Sequence, residues 1–385
     1  MKRRLIVWIL AILCLAGCTA PAVRKPNATN AKKTPPPAPP KTVRVVAFGD
    51  FMLHRPQLDA AKGPEGYDFK ENFRYLRPYI DGADLAMINL ETTLTDGSRG
   101  YTTYPVFSSP KEVARDFKET GFDVISTANN HAYDKLKDGV DYTYDVLKEQ
   151  DLDVVGTGKE RAEPLVKEVN GIRLGILSYT YGLNGFDGVL ANSENPESVR
   201  LLTRERVQED VARLNEEGVD LILSYVHWGE EYRKEANADQ KEKLKMLADA
   251  GVALVLGSHP HVPQGIDNVV GKEMTTFCAY SMGNFVSNQR RNNMGGRRTD
   301  VGQMVTAQII KDESGTRIAE FMPKPLYVDK YVDGGLHYEV IPAEAALLGE
   351  IPVERIETLR PVLEETVADH TVRISPDLLL SNDGI

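Results

Sequence analysis

From Val43 onward, short β-branched apolar runs alternate with amphipathic stretches, a pattern that few folds other than a layered α/β domain satisfy. Strands are predicted at 43–48, 84–89, 122–127, 152–155, 172–179, 219–226 and 252–256. Between them Val140, Tyr144 and Leu147, and again Val207, Val211 and Leu214, recur with the period of a helix that buries one face, and Leu244 and Leu247 back a third. Gly121, Gly218 and Gly251 stand just ahead of strands, where helices commonly end in a left-handed cap. After about residue 265 the pattern turns to hairpins, at 274–280, 301–311 and 316–328, with Ser314-Gly315 as a turn; residues 343–369 read as helix.

The N-terminus has a different character. Lys2-Arg3-Arg4 precedes an apolar run from Leu5 to Ala16, shorter than the roughly 20 residues that span a bilayer and suited to a signal peptide. The Leu15-Ala16-Gly17-Cys18 that follows resembles a bacterial lipobox, which implies cleavage before Cys18, lipidation of its thiol and an extracytoplasmic protein anchored to the bacterial membrane. Seven prolines between residues 19 and 42 then make a tether with nothing to bury. The expected division is a signal peptide at 1–17, a lipid-anchored tether at 18–42, a main domain at 43–335 and a helical extension at 336–385.

A chain of 385 residues with 42% hydrophobic and 26% charged content builds a sizeable core, which excludes wholesale disorder and a polytopic membrane protein. Its net charge of −10 argues against nucleic acid as a partner. Loss of the leader removes three basic residues and no acid, making the mature form more acidic still. With Cys14 and Cys18 in or at the leader, Cys278 is the only interior thiol, so no disulfide framework exists.

Each strand of the first half runs into a polar cluster at its C-terminal end. These clusters are Gly49-Asp50, Asn89-Leu90-Glu91, Asn129-Asn130-His131, His227-Trp228-Gly229 and His259-Pro260-His261. Singly, each has a bland reading as a turn, a helix cap or a structural histidine. Together they place His54, His131, His227, His259 and His261, five of seven histidines, at the sheet edge where open α/β folds bind ligands. His337 and His370 read as surface residues. Asp, Glu, Asn and His without Cys suit divalent Zn, Mn or Fe, and one carboxylate shared among several histidines is how a pair of ions is held.

Six blocks in order carry a family resemblance: Gly49 to Arg55, Asn89 to Glu91, Ala128 to Asp134, His227 to Tyr232, Gly257 to Val262 and Tyr280 to Phe285. They resemble the CapA-type poly-γ-glutamate capsule synthesis proteins, which are similar in fold to calcineurin-like metallophosphoesterases. The resemblance implies that Asp50 and His261 bind a first ion, that Glu91 bridges, and that Asn130, His227 and His259 bind a second. It further implies that His131 acts on a leaving group and that Arg55 clamps an anion. Met52 stands where phosphoesterases place a histidine, so His54 is a candidate for metal or substrate. Arg290, Arg291, Arg297 and Arg298, in a loop rich in Asn and Gly, read either as solvated surface or as an anion clamp on substrate.

The leading expectation is a cell-surface, metal-dependent hydrolase or transferase acting on poly-γ-glutamate or another anionic envelope polymer. The alternatives are a non-catalytic polymer-binding or assembly component of a capsule synthesis complex and, further off, a secreted phosphodiesterase.

Overall fold

The computed structural model describes residues 39–371, so the leader, Cys18 and the last residues of the C-terminal extension lie outside the described residues. Strand β1 (Lys41–Phe51) runs parallel to β2 (Leu85–Leu90), which leads to β3 (Val124–Ser126) and β4 (Asp153–Val155). A second sheet takes β5 (Leu165–Val169), β6 (Ile172–Thr180), β7 (Leu221–His227), β8 (Leu254–Ser258), β9 (Ile266–Val270) and β10 (Thr275–Ala279), in the order β9-β10-β8-β7-β6-β5. The chain then returns to the first sheet. There β11 (Asn284–Val286) pairs with the end of β1, while β12 (Val301–Asp312), β13 (Gly315–Val332) and β14 (Leu336–Pro342) extend its far side.

Alternation along the strands fixes the layers. Val43, Val45 and Ala47 of β1 and Leu85 and Met87 of β2 join Leu174, Leu221, Leu223, Leu254 and Leu256 in one cluster between the sheets. Their neighbours Val46, Phe48, Ala86 and Ile88 face the other way, onto helices α2 (Glu112–Thr120) and α3 (Leu136–Glu149), which follow the short α1 (Arg55–Ala61). In the second sheet Ile222, Val226 and Val255 pack outward against α4 (Arg204–Glu216) and α5 (Ala238–Ala250). The result is an α/β/β/α stack. Helices α2 and α5 end at Gly121 and Gly251, with φ of 103° and 101°, as their positions before strands suggested.

Two expectations need correction. Residues 336–342 are strand, not helix: β14 pairs along the end of β13, so a boundary after residue 335 cuts a hairpin. Helix α6 (Ile356–Thr371) follows and packs against the β12 to β14 edge through Leu359 and Leu363. His370, expected at the surface, is buried with Nε2 3.2 Å from the Pro323 carbonyl, because α6 folds back over β13. Cys278 is fully buried. No helix among the described residues is long and apolar enough to cross a membrane.

His337 is half-buried, its Nδ1 2.7 Å from a Glu71 oxygen and its Nε2 2.9 Å from the Asp333 carbonyl. Both acceptors favour the imidazolium, so its pKa lies above the ordinary value. Its contribution is therefore complete below about pH 6.5 and fades as pH rises through the folded-state value. His337→Ala is expected to cost less than about 1 kcal/mol at pH 5.5 and still less at pH 9, as read by urea melts at the two pH values.

Candidate metal centre

Parallel strands of both sheets deliver their C-terminal ends to one edge. Asp50 is the penultimate residue of β1, Glu91 follows β2, His227 ends β7, and His259 and His261 follow β8. Register aligns them: Asp50 sits beside Asn89, and His227 beside both Thr180 and Ser258. Gly49 lets the backbones close at this point, since a Cβ there would stand 2.0 Å from the Gly283 carbonyl oxygen.

All six residues expected to bind metal come together and are buried. Asp50 Oδ1 accepts a hydrogen bond from Asn89 Nδ2 at 2.8 Å, and Oδ2 accepts one from the His259 main-chain N–H at 3.2 Å. His261 Nδ1 lies 3.4 Å from Asp50 Oδ2. His227 is held at both ends, with Nδ1 2.8 Å from Ser258 Oγ and Nε2 2.9 Å from Asn130 Oδ1. His259 and His261 adopt φ of 95° and 57°, strain of the kind that clusters where side chains must be aimed.

Glu91 is the decisive residue. It is fully buried, and neither carboxylate oxygen has a hydrogen-bond partner. His227 Nε2 and His261 Nε2 approach Oε1 only to 3.5 and 3.7 Å. Burial, and then the neighbouring Asp50, hold its carboxyl well above the usual carboxylate range. Burial also acts on Asp50, but the close approach of His261, the nearby His227 and the Asn89 hydrogen bond outweigh it and bring that group below its ordinary value. Burial pulls His227 down to about 3, leaving a neutral imidazole, the form that ligates metals.

Two donor sets are fully buried, Asp50 with Glu91 and His261, and Glu91 with His227 and His259; in each, the ligand atoms lie within 4.8 Å of one another. Glu91 is common to both. A buried carboxylate without donors is costly unless a cation satisfies it, so this oxygen and nitrogen set fits a pair of divalent ions.

Residues 44–289 match the family described as bacterial capsule synthesis protein PGA_cap. The chain belongs to this family. Capsule biosynthesis protein CapA of Bacillus anthracis is 32% identical over 287 residues, which is 71% of this chain and 65%, under two thirds, of that protein's own length. PGA biosynthesis protein CapA of Bacillus subtilis is 28% identical over 275 residues, 69% of this chain and 68% of that protein. A solved structure of a calcineurin-like phosphoesterase from Bacillus subtilis is 11% identical, covering 86% of this chain and 99% of its own with a TM-score of 0.45, a partial likeness.

Within this PGA_cap-family domain, His131 sits beside the centre with Nδ1 2.7 Å from Asp134 Oδ2. The same oxygen accepts the Phe107 main-chain N–H at 2.6 Å, and the Phe107 ring packs edge-on against the imidazole at 4.6 Å. Asp134 thus assigns the proton to Nδ1 and leaves Nε2 as the working nitrogen. His54 also packs edge-on with Phe107, at 5.4 Å, and burial lowers it to about 4. It belongs to neither donor set.

The arginines divide. Arg55 is exposed and donates to the Tyr101 carbonyl at 2.7 Å, fixing the loop that carries Phe107. Arg290 bonds the Val328 carbonyl and the Tyr327 hydroxyl, and Arg291 pairs with Glu365. Arg298 is buried, reaching Glu365 at 2.9 Å, Asp369 at 3.1 Å and Thr366 Oγ1 at 2.8 Å. These three tie the loop to β13 and α6. They do not form one four-arginine clamp, because acids of α6, some 70 residues further along the chain, satisfy two of them. Arg297 alone reaches toward the centre, 5.0 Å above the Tyr232 ring, which lies 6.0 Å from His261.

Tyr181 went unread in the sequence. It follows β6, packs 4.6 Å from the His259 ring and remains 42% exposed, so it walls the mouth. Burial, then Glu231 and Glu91, push its hydroxyl up to about 12, so it is a donor at neutral pH. Its signal was available, since it too ends a strand of the second sheet. Trp228, by contrast, is core: fully buried, with Nε1 donating to the Tyr280 carbonyl at 2.8 Å.

Proposed function

We propose that the protein is a metal-dependent hydrolase or transferase that acts on an anionic envelope polymer such as poly-γ-glutamate outside the cytoplasmic membrane, anchored by lipid on Cys18 and working with a capsule synthesis complex. The observation that carries this reading is Glu91, a buried carboxylate without a donor shared by two ligand sets. The capsule names of the two Bacillus relatives support the choice of substrate.

Divalent ions bound there would supply Lewis acidity and an activated water. The chain's own residues supply the rest. Asn89 and the His259 main-chain N–H hold Asp50 in place, and Ser258 orients His227. His131 gives or takes a proton at Nε2 while Asp134 steadies the imidazolium. Phe107 shields that pair from water, and Arg297 meets a carboxylate or phosphate of the incoming chain.

The test is metal analysis of the purified protein combined with the length distribution of poly-γ-glutamate incubated with it. Stoichiometric Zn, Mn or Fe, lost in His227→Ala and His259→Ala, together with a shortened or transferred polymer is the expected result. Protein without stoichiometric metal sinks the reading. Full restoration of surface polymer by His131→Ala in a deletion strain would favour the assembly role instead.

Arg297 permits a narrower test. Arg297→Ala is expected to weaken polymer binding about 10-fold at low salt, in line with about 1.5 kcal/mol for one charge-assisted contact, while metal content stays unchanged. Binding isotherms at two salt concentrations check this, since the loss should shrink as salt rises.

A further inference from the structure

Glu231 stands at the mouth of the centre in the loop after β7, exposed to solvent. One of its carboxylate oxygens lies within 4.8 Å of ring nitrogens of both His259 and His261, which are themselves within that distance of each other. Those two histidines belong to different ligand sets, so Glu231 faces both from the open side.

The bland reading is a solvated surface acid, and its neighbour shows what that looks like. Glu230 pairs with Arg233 at 3.1 Å and accepts from Asn237 Nδ2 at 3.4 Å. Among the described residues no lysine or arginine forms an ion pair with Glu231. The loop is also held in place: Tyr232, at φ 64°, donates its main-chain N–H to the Pro260 carbonyl at 2.8 Å, tying the two loops together.

Coordination number supplies the second argument. Zinc takes four ligands, and manganese or iron takes more. The His227 set has Asn130 Oδ1 at hand, 2.9 Å from Nε2. Among the described residues the histidine and carboxylate ligands of the Asp50 set are Asp50, Glu91 and His261. His261 Nδ1 and His259 Nδ1 are both buried without hydrogen-bond partners, so each ring keeps an unfilled nitrogen.

We propose that Glu231 is a metal ligand, closing the coordination of the ion held by Asp50, Glu91 and His261 from the solvent side. The inference rests on the metal reading above and adds a residue to it. Glu231 then joins Asp50 and Glu91 around the histidines, an acidic donor set that divalent cations would balance.

The test uses the full-length protein loaded with Mn²⁺ or Zn²⁺, desalted, analysed for metal and titrated against a chromophoric chelator. In Glu231→Gln the more weakly held ion is expected to be lost or bound at least 10-fold more weakly, with Glu231→Asp retaining most of the affinity. Glu230→Gln should match the wild type. Because Glu231 is exposed, the melting temperature of Glu231→Gln in EDTA should equal that of the wild type, which separates ligand loss from misfolding. Wild-type stoichiometry and affinity in Glu231→Gln would overturn the inference and leave the metal centre standing. A wild-type protein that binds no metal would overturn both.

Discussion

Glu91→Gln is expected to make the metal-free protein more stable and to abolish stoichiometric metal binding. Both Glu91 oxygens are buried without partners, and Asp50 adds like charge, so the carboxyl burdens the apo fold. Glutamine keeps the volume, removes the charge and offers donors to the Asp50 carboxylate. Relief of about 2 kcal/mol is reasonable for neutralising an unpaired buried acid. In EDTA at pH 7 this would appear as a rise of several degrees in melting temperature. In excess Mn²⁺ the order should reverse, because only the wild type gains the free energy of binding. If Glu91→Gln melts below the wild type in EDTA, Glu91 has a structural role and the central argument fails.

The second large effect is expected at His131. His131→Ala should lower turnover of the polymer about 10²- to 10⁴-fold with metal content intact, since the residue lies beside the ligand sets and belongs to neither. Asp134→Asn should cost less, because an amide can still accept from Phe107 but no longer steadies a charged imidazole. Unchanged turnover in His131→Ala would move the protein from catalysis to binding.

Much of this was legible in the sequence for a definite reason. Parallel strands carry their function at one end, so Asp50, Glu91, Asn130, His227, His259 and His261 could be grouped by their positions after apolar runs, with no knowledge of pairing. What escaped depended on tertiary partners. Arg298 reads as a loop cation until Glu365, Thr366 and Asp369 of α6 fold over it and turn it into an internal tie. His370 disappears from the surface for the same reason. Glu231 follows His227 in the sequence, and that neighbourhood cannot show that its carboxylate lies close to a different loop, the one bearing His259 and His261. Strands β5, β9, β11 and β14 went unread; β11 is only three residues long, and the others mix polar with apolar positions.

The two ligand sets also draw on both sheets: Asp50 and Glu91 come from the first, and His227, His259 and His261 from the second. A bound ion would therefore act as a stitch across the sandwich, joining points such as Glu91 and His227 that lie roughly 140 residues apart along the chain. Its removal would loosen one seam and leave each sheet's own ladder intact. Amide exchange after chelation should then quicken first at the C-terminal ends of β2, β7 and β8, while the opposite ends of the same strands stay protected.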